Sequence, residues 1–440
     1  MNTILKNQAM IADNLAVNEV GHLTFAGQDT VLLAEKYGTP LYLLDEEMIR
    51  RRCREYRAAM QTHFGEGAMP LYAGKALCIT HIYRIMREEN MGIDVVSSGE
   101  IYTAYHAGFP MERAYFHGNN KTDDDIAFAM ECGVGTFVCD SIDELEAINR
   151  IGAQKGIRQK ILLRLTPGID PHTHKAIATG RVDSKFGAAI ETGQAEELVC
   201  AALSLANIEL LGYHCHIGSQ IFEVKPFVDA ARIMLSFVAH INSTHGFCAK
   251  ILNLGGGMGV RYLNEHPTIS YEKNIALIAE ELKAMAAKLS MPLPTILMEP
   301  GRSIVADSGM TLYRAGSVKQ IPGFKNYVSI DGGMPDNPRF ALYESPYTVV
   351  SAARMNEEAD FVCTVAGRCC ESGDLIQEGV SLPMPRRGDV IAVLTTGAYN
   401  YSMASNYNRI PRPPMVALSQ GEEKLILRRE TFRDLVQNDL

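Results

Sequence analysis

The chain has 440 residues, 47% of them hydrophobic and 21% charged, with a net charge of −9 at pH 7. That length exceeds what one simple core organises, so two domains are expected, one of them large enough to be a barrel. The acidic balance argues against nucleic acid or an anionic membrane surface as the main partner, and no apolar run is long enough to span a bilayer. Ten cysteines, with no basic-then-apolar leader before them, read as reduced thiols in the cytoplasm.

Residues 1–45 hold strand-like pieces, His22–Phe25 and Leu41–Leu44, around a predicted helix over Val31–Tyr37. Asp45-Glu46-Glu47 then reads as a helix start with acids in its first turn. From there a rhythm of apolar strand, polar or Gly-rich loop and amphipathic helix repeats. The strand candidates are Pro70–Lys75, Gly92–Ser97, Ala114–Gly118, Thr136–Asp140, Lys160–Thr166, Leu210–Ile217, Ile251–Gly255 and Thr295–Glu299. Helical stretches such as Asp123–Glu131, Ile142–Ala153, Pro226–His240 and Tyr271–Leu289 separate them. This alternation predicts a (β/α)8 barrel over residues 46–305. An open doubly wound sheet is the rival, but it would carry a GxGxxG near its start, and none lies there.

After about residue 305 the texture changes. Short runs such as Tyr327–Ile330, Tyr347–Ser351, Phe361–Ala366 and Asp389–Leu394 alternate with Gly/Pro turns. A β-sandwich or β-barrel domain is expected over residues 306–440, completed by the N-terminal strands of residues 1–45.

Polar motifs fall at the predicted ends of barrel strands, where such a barrel keeps its chemistry. Lys75 ends the first, in Leu71-Tyr72-Ala73-Gly74-Lys75-Ala76. A lysine held there can carry an aldehyde cofactor as a Schiff base, although alone it reads more readily as a surface lysine capping a strand. The seventh strand ends in Gly255-Gly256-Gly257-Met258-Gly259, whose backbone N–H groups can converge on a phosphate. The eighth ends in Glu299-Pro300-Gly301-Arg302. Its carboxylate can pair with a protonated ring nitrogen, and its arginine can meet phosphate or carboxylate. After the sixth lies His214-Cys215-His216-Ile217-Gly218-Ser219-Gln220, where an imidazole can stack on a ring and a serine can donate to phosphate. No Cys/His spacing matches a zinc site, so no metal is expected; on a strand His214 and His216 share a face and Cys215 points away.

Taken together these motifs are specific. Tyr72-Ala73-Gly74-Lys75-Ala76, His216-Ile217-Gly218-Ser219, Gly255–Gly257 and Glu299-Pro300-Gly301-Arg302 stand in the order seen in fold-type III pyridoxal-phosphate decarboxylases. Later segments narrow the resemblance: Asp331-Gly332-Gly333-Met334, Asp336-Asn337-Pro338-Arg339, Leu342-Tyr343, Cys370-Glu371-Ser372-Gly373-Asp374, Gly397-Ala398-Tyr399 and Ser402 to Asn408. With Thr179-Gly180 and Ser184-Lys185-Phe186-Gly187, the chain resembles the diaminopimelate decarboxylase family over nearly its whole length.

That resemblance implies an alanine-racemase-like barrel joined to a β domain, with pyridoxal 5′-phosphate as cofactor. It implies that Lys75 forms the Schiff base, His216 stacks on the pyridine ring and Glu299 pairs with its nitrogen. Ser219, Gly256, Gly257, Gly301, Arg302 and Tyr399 belong to the cofactor's surroundings, Ser219 and Gly257 at its phosphate. Arg302, Arg339, Tyr343, Glu371 and Tyr399 surround the substrate, and Cys370 is the proton donor. In the family Cys370 and Glu371 arrive from a partner subunit, so a homodimer with shared active sites is expected.

The implied substrate suits these residues. Meso-diaminopimelate carries an amino-acid group at each end. Loss of carbon dioxide from the D-centre leaves an electron pair that a protonated pyridine ring can delocalise, and a thiol can return a proton to that carbon. The other end remains an L-amino acid, which calls for a cation such as Arg302 or Arg339 and an anion such as Glu371. A decarboxylase of D-lysine, D-ornithine or arginine on the same fold would differ at that distal pocket. A racemase would place a tyrosine base opposite the lysine, and a catalytically dead relative would have lost Lys75 or Cys370. Cys369 precedes Cys370 and reads as a packed thiol, and Phe340 follows Arg339 where many relatives have proline.

Overall fold

The structure, a computed structural model, describes residues 10–169 and 184–440. The Thr179-Gly180 motif lies outside the described residues. Among the described residues, eight parallel strands close into a ring: Met69–Ala73, Gly92–Val95, Ala114–Phe116, Thr136–Cys139, Gln159–Thr166, Ile208–His214, Ile251–Asn253 and Thr295–Met298. Each pairs with its neighbours in sequence, and the last closes on the first through Leu297 opposite Met69 and Met298 opposite Pro70. All eight coincide with the runs read from the sequence. An added strand, Ala188–Ala189, pairs onto Gln159–Thr166 outside the ring.

These strands are short, apolar and buried along nearly their whole length, as parallel strands covered on both faces must be. Leu71, Tyr115, Val138, Leu162, Leu211 and Leu297, one from each of six strands, pack together in one cluster. Several helices between strands start on capping side chains. Ser97 accepts the N–H of Glu100, and Thr122 with Asp125 forms a reciprocal capping box at the head of Asp123–Glu131. Helix Ile142–Lys155 starts on Ser141 and ends on left-handed Gly156.

One buried ion pair ties this unit together between helices. Lys121 donates from Nζ to the carbonyls of Gly118 (2.9 Å) and Val138 (2.6 Å) and to Glu144 (2.5 Å). All three of its protons are therefore used, which is the condition under which a buried ammonium is tolerated. The barrel unit comprises Arg52–Gly259 and Ile269–Gly301.

The second unit comprises the chain up to Arg51, Val260–Thr268 and Arg302–Leu440. Its sheet is built around the long strand Gly309–Ile321, whose register shifts between Ala315 and Val318. The first half pairs antiparallel with Leu41–Asp45 and Val390–Leu394; the second half pairs with Lys325–Ile330. Leu41–Asp45 also runs parallel to Met415–Ser419, so an N-terminal strand lies inside the sheet.

The other N-terminal strands do not join it. Leu15–Val17, Leu23–Phe25 and Gln28–Asp29 form a separate three-stranded antiparallel sheet. The reason is local: Ala26 and Gly27 both take positive φ, 50° and 78°, in a tight turn that folds the chain straight back on itself. Leu23 and Phe25 still bury in one apolar cluster with Leu41, Leu43, Met310 and Leu312. Among the described residues, no helix is long and apolar enough to cross a membrane.

Candidate active site

In the barrel unit, Lys75 sits in a single 3-10 turn, Gly74–Ala76, directly after the first strand. Its neighbours Gly74 and Ala76 are buried while Lys75 is exposed. Gly74 has no room for a side chain: a Cβ there would lie 2.4 Å from the Tyr83 hydroxyl. The turn is thus pressed against the barrel and the lysine projects from it. The Lys75 charge acts on Asp94, Glu100 and His216. Burial pushes the Glu100 carboxyl up to about 7.

Glu299, just past the last barrel strand, is 7% exposed and fully engaged. The Asn253 amide donates to Oε1 at 2.7 Å, and His214 Nε2 lies 3.1 Å from Oε2. His117 Nε2 stands 2.9 Å from Oε1 and 3.8 Å from Asp94 Oδ1. The two imidazoles meet edge to face with centroids 4.8 Å apart. Burial opposes the charge on Glu299, but the charges and hydrogen bonds of His117 and His214 outweigh it and hold the carboxyl well below its usual range. Burial pushes His214 down to about 4, so it is neutral. For His117 the carboxylates of Asp94 and Glu299 outweigh burial and raise the imidazole.

His216 and the glycine loop form the other wall of this unit's polar end. The N–H of Gly256 donates to His216 Nδ1 at 3.2 Å, which leaves the ring proton on Nε2. Burial, reinforced by the Lys75 charge, holds His216 well below its usual value and therefore neutral. Gly255 and Gly257 take φ of 68° and 119°. A Cβ on Gly256 would lie 2.0 Å from the Glu299 carbonyl oxygen, and one on Gly257 would lie 2.3 Å from that of Gly218. Ser219 follows Gly218 in the loop after the sixth strand, and the Ile221 N–H donates to the Gly257 carbonyl at 3.0 Å, tying the two loops together. Gly301 packs on the first strand, where a Cβ would meet that of Ala73 at 2.8 Å.

The second unit carries a cationic cluster. Arg302 donates to the Tyr262 hydroxyl at 2.7 Å and lies over the Tyr399 ring at 4.7 Å. Arg339 lies over the same two rings, 5.7 Å from Tyr262 and 5.5 Å from Tyr399, and donates to Ser345 Oγ at 3.0 Å. Both guanidiniums are buried. Each lies over two aromatic rings, and a guanidinium so placed suits bidentate capture of a carboxylate or phosphate. Tyr399 adopts a φ of 63°, unusual for a tyrosine. Tyr343 ends the short helix that Arg339 begins.

Cys370 and Glu371 are exposed in a turn organised by Asp374. Its carboxylate accepts the N–H groups of Met334 (2.6 Å) and Cys369 (2.7 Å), while Asn408 accepts that of Cys370 at 2.9 Å. Burial and the Asp374 carboxylate push the Cys369 thiol up to about 12. Among the described residues, neither the Cys370 nor the Glu371 side chain shares a hydrogen bond or ion pair with the arginine–tyrosine cluster.

Four participants in these clusters escaped the sequence reading: Asp94, His117, Asn253 and Tyr262. The first three sit at barrel-strand ends, so the rule that picked out Lys75 and Glu299 would have found them had it been applied to every strand. Tyr262 carries no comparable signal. His214 and His216 take different partners, Glu299 and Gly256.

Residues 46–306 match the family described as "Pyridoxal-dependent decarboxylase, pyridoxal binding domain". The chain is 44% identical to the diaminopimelate decarboxylase of Bacillus subtilis (strain 168), covering 96% of each chain. It is 45% identical to that of Bacillus methanolicus, covering 95% of this chain and 96% of the relative. Among solved structures, the diaminopimelate decarboxylase of M. jannaschii in complex with L-lysine superposes with a TM-score of 0.90 at 34% identity, covering 97% of this chain and 98% of that one. On this likeness, which extends through both units, the chain belongs to the diaminopimelate decarboxylases, a family of pyridoxal-dependent decarboxylases.

Proposed function

We propose that this chain decarboxylates meso-2,6-diaminopimelate to L-lysine and carbon dioxide, the last step of lysine biosynthesis, with pyridoxal 5′-phosphate as cofactor. The barrel's residues fit that cofactor. An exposed amine stands at a strand end, a buried carboxylate is kept ionised, and a neutral imidazole is fixed by a backbone N–H. In this reading residues 46–305 form the cofactor-binding barrel, and residues 306–440 with 1–45 form the β domain.

Bound at Lys75, the cofactor supplies an electron sink for the pair left when carbon dioxide departs. Glu299 keeps a proton on the ring nitrogen, because an ionised carboxylate beside that nitrogen favours its protonated form. His216, being neutral, would stack on the ring without competing for that proton. Ser219 and Gly257 would hold the phosphate, with Gly256 and Gly301 in the cofactor's surroundings. Cys370 returns a proton to the carbon that lost carbon dioxide.

One observation carries the choice of substrate. Arg302 and Arg339 are both buried on the faces of Tyr262 and Tyr399, a rigid pair of cations suited to a substrate that keeps a carboxylate after reaction. Arg339, Tyr343 and Tyr399 take the distal carboxylate and Glu371 takes the distal ammonium. A decarboxylase yielding a diamine has no such carboxylate to hold. The exposure of Cys370 and Glu371 agrees with their serving the site of a partner subunit in a homodimer. The ten free thiols suit the cytoplasm.

Carbon dioxide release with meso-diaminopimelate, D-lysine, D-ornithine and L-arginine tests the reading. Preference for meso-diaminopimelate with lysine as product is expected, whereas preference for a diamine-yielding substrate would overturn the distal-carboxylate assignment. Shared sites are tested by mixing Lys75→Ala with Cys370→Ala. If each dimer draws on both chains, random reassociation restores about a quarter of the sites; no recovery would sink the shared-site model.

A further inference from the structure

Behind Glu299, five barrel strands contribute one buried polar side chain each to a closed group. Asp94 comes from the second strand, His117 follows the third, His214 ends the sixth, Asn253 ends the seventh and Glu299 follows the eighth. All five are at most 7% exposed. A carboxylate so buried is retained only when its oxygens are satisfied. Oε1 accepts from the Asn253 amide and makes a 2.9 Å charge contact with His117 Nε2, and Oε2 lies in hydrogen-bond reach of His214. His117 stands between two carboxylates, 2.9 Å from one and 3.8 Å from the other.

We propose that His117 and His214 are positioning residues that hold Glu299 as an oriented carboxylate toward the cofactor's ring nitrogen, with His117 the cationic member and Asp94 its second counter-anion. This rests on the assignment of Glu299 to that nitrogen. The division of labour follows from the surroundings. His214 faces one carboxylate and the edge of a second imidazole, so a neutral N–H donor suffices. His117 faces two carboxylates, whose charges would repel one another unless a cation lay between them. The charges of Lys75 and Arg164 also act on Asp94. Neither His117 nor His214 touches substrate in this scheme; both act through Glu299.

The test is reconstitution of cofactor-free protein with pyridoxal phosphate, followed by the absorbance of the bound cofactor, in a double-mutant cycle. In the wild-type background, His117→Asn is expected to weaken binding roughly tenfold and to shift the bound absorbance, since a buried charge contact at 2.9 Å is lost behind Glu299. In a Glu299→Gln background the same change is expected to cost less than about threefold, because the group it acts through has been neutralised. Equal losses in both backgrounds, or none in either, would overturn the proposal. His214→Gln, which keeps an N–H donor, is expected to retain wild-type affinity while His214→Leu does not; equal behaviour of the two would also overturn it. If His117→Asn does not fold, His117→Gln enters the same cycle.

Donor atoms of His117, His214 and Glu299 lie within 4.8 Å of one another, close enough for a divalent cation to bridge them. A bound cation found by elemental analysis of the cofactor-free protein would therefore replace the charge-pair account. Failure of the wild-type protein to bind pyridoxal phosphate would instead refute the cofactor reading itself, so the two failures are distinct.

Discussion

Gly256 donates its backbone N–H to Nδ1 of His216 across 3.2 Å, and the same residue passes so close to Glu299 that a Cβ would lie 2.0 Å from that residue's carbonyl oxygen. One glycine therefore sets the tautomer of the imidazole and the approach of the loop to the strand bearing the carboxylate. Gly256→Ala forces the loop away from Glu299. The expected cost is about 1–3 kcal/mol of stability, with weaker cofactor binding because His216 loses its donor. Thermal melting and cofactor titration of the variant check this, and wild-type values in both would remove Gly256 from the role.

Lys75 projects from a turn whose neighbours are buried. Lys75→Ala should leave the turn intact, because Gly74 and Ala76 make its packing contacts. The visible absorbance of bound cofactor should vanish while the melting temperature of cofactor-free protein stays within about 2 °C. A retained spectrum would move the Schiff base to another amine.

Cys369 and Cys370 are adjacent, yet their surroundings separate them. Cys369 is partly buried and its thiol is pushed up to about 12 by burial and Asp374, whereas Cys370 is exposed. A thiol that ionises so reluctantly gives up its proton poorly. Cys370→Ala should bind cofactor normally and slow turnover by about 10²–10⁴-fold, while Cys369→Ala should retain most activity. The reverse pattern in steady-state kinetics would exchange their roles.

Arg339 lies against two tyrosine rings and donates to Ser345. Lysine would keep the charge but lose the planar fork and the ring contacts. If Arg339 binds the unreacting carboxylate equally before and during reaction, Arg339→Lys should raise KM roughly tenfold with kcat changed less than about threefold. A fall in kcat at constant KM would place Arg339 at the reacting centre instead.

The barrel was legible because each strand is a short, largely apolar run between turn signals, as parallel strands buried on both faces tend to be. A helix-start signal served equally well: Asp45-Glu46-Glu47 leads into helix Glu46–Phe64, with both glutamates in its first turn. The N-terminal hairpin was less legible. Leu15–Val17 and Gln28–Asp29 are three and two residues long, too short for alternation to show, and pairing partners are decided by a turn at Ala26-Gly27. At the site, Lys75, His216, Glu299 and Arg302 stood out because each lies in a dense motif. His117 and Asp94 also stand at strand ends, but neither lies in such a motif. Their meaning depends on Glu299 across the barrel, and contacts between distant strands leave no local trace.

Two buried groups drive stability in opposite directions with pH. Burial pushes His214 down to about 4, against about 6.5 in an unfolded chain. Between those values the unfolded state carries the extra proton, so this contribution is present above pH ~6.5 and is lost as pH falls toward 4. Asp336 behaves oppositely. Burial pushes its carboxyl up to about 7, with Tyr313 and Gly333 donating to it in partial compensation. The folded state keeps that proton where an unfolded aspartate, near 3.9, has released it. This contribution is present at low pH and is lost as pH rises toward 7. Replacing each group should therefore tilt the profile in contrary senses. Measured by urea midpoints between pH 4.5 and 6.5, His214→Gln should flatten the rise of stability with pH, and Asp336→Asn should steepen it. Slopes that change in the same sense would show that one of these protons is not where its surroundings place it.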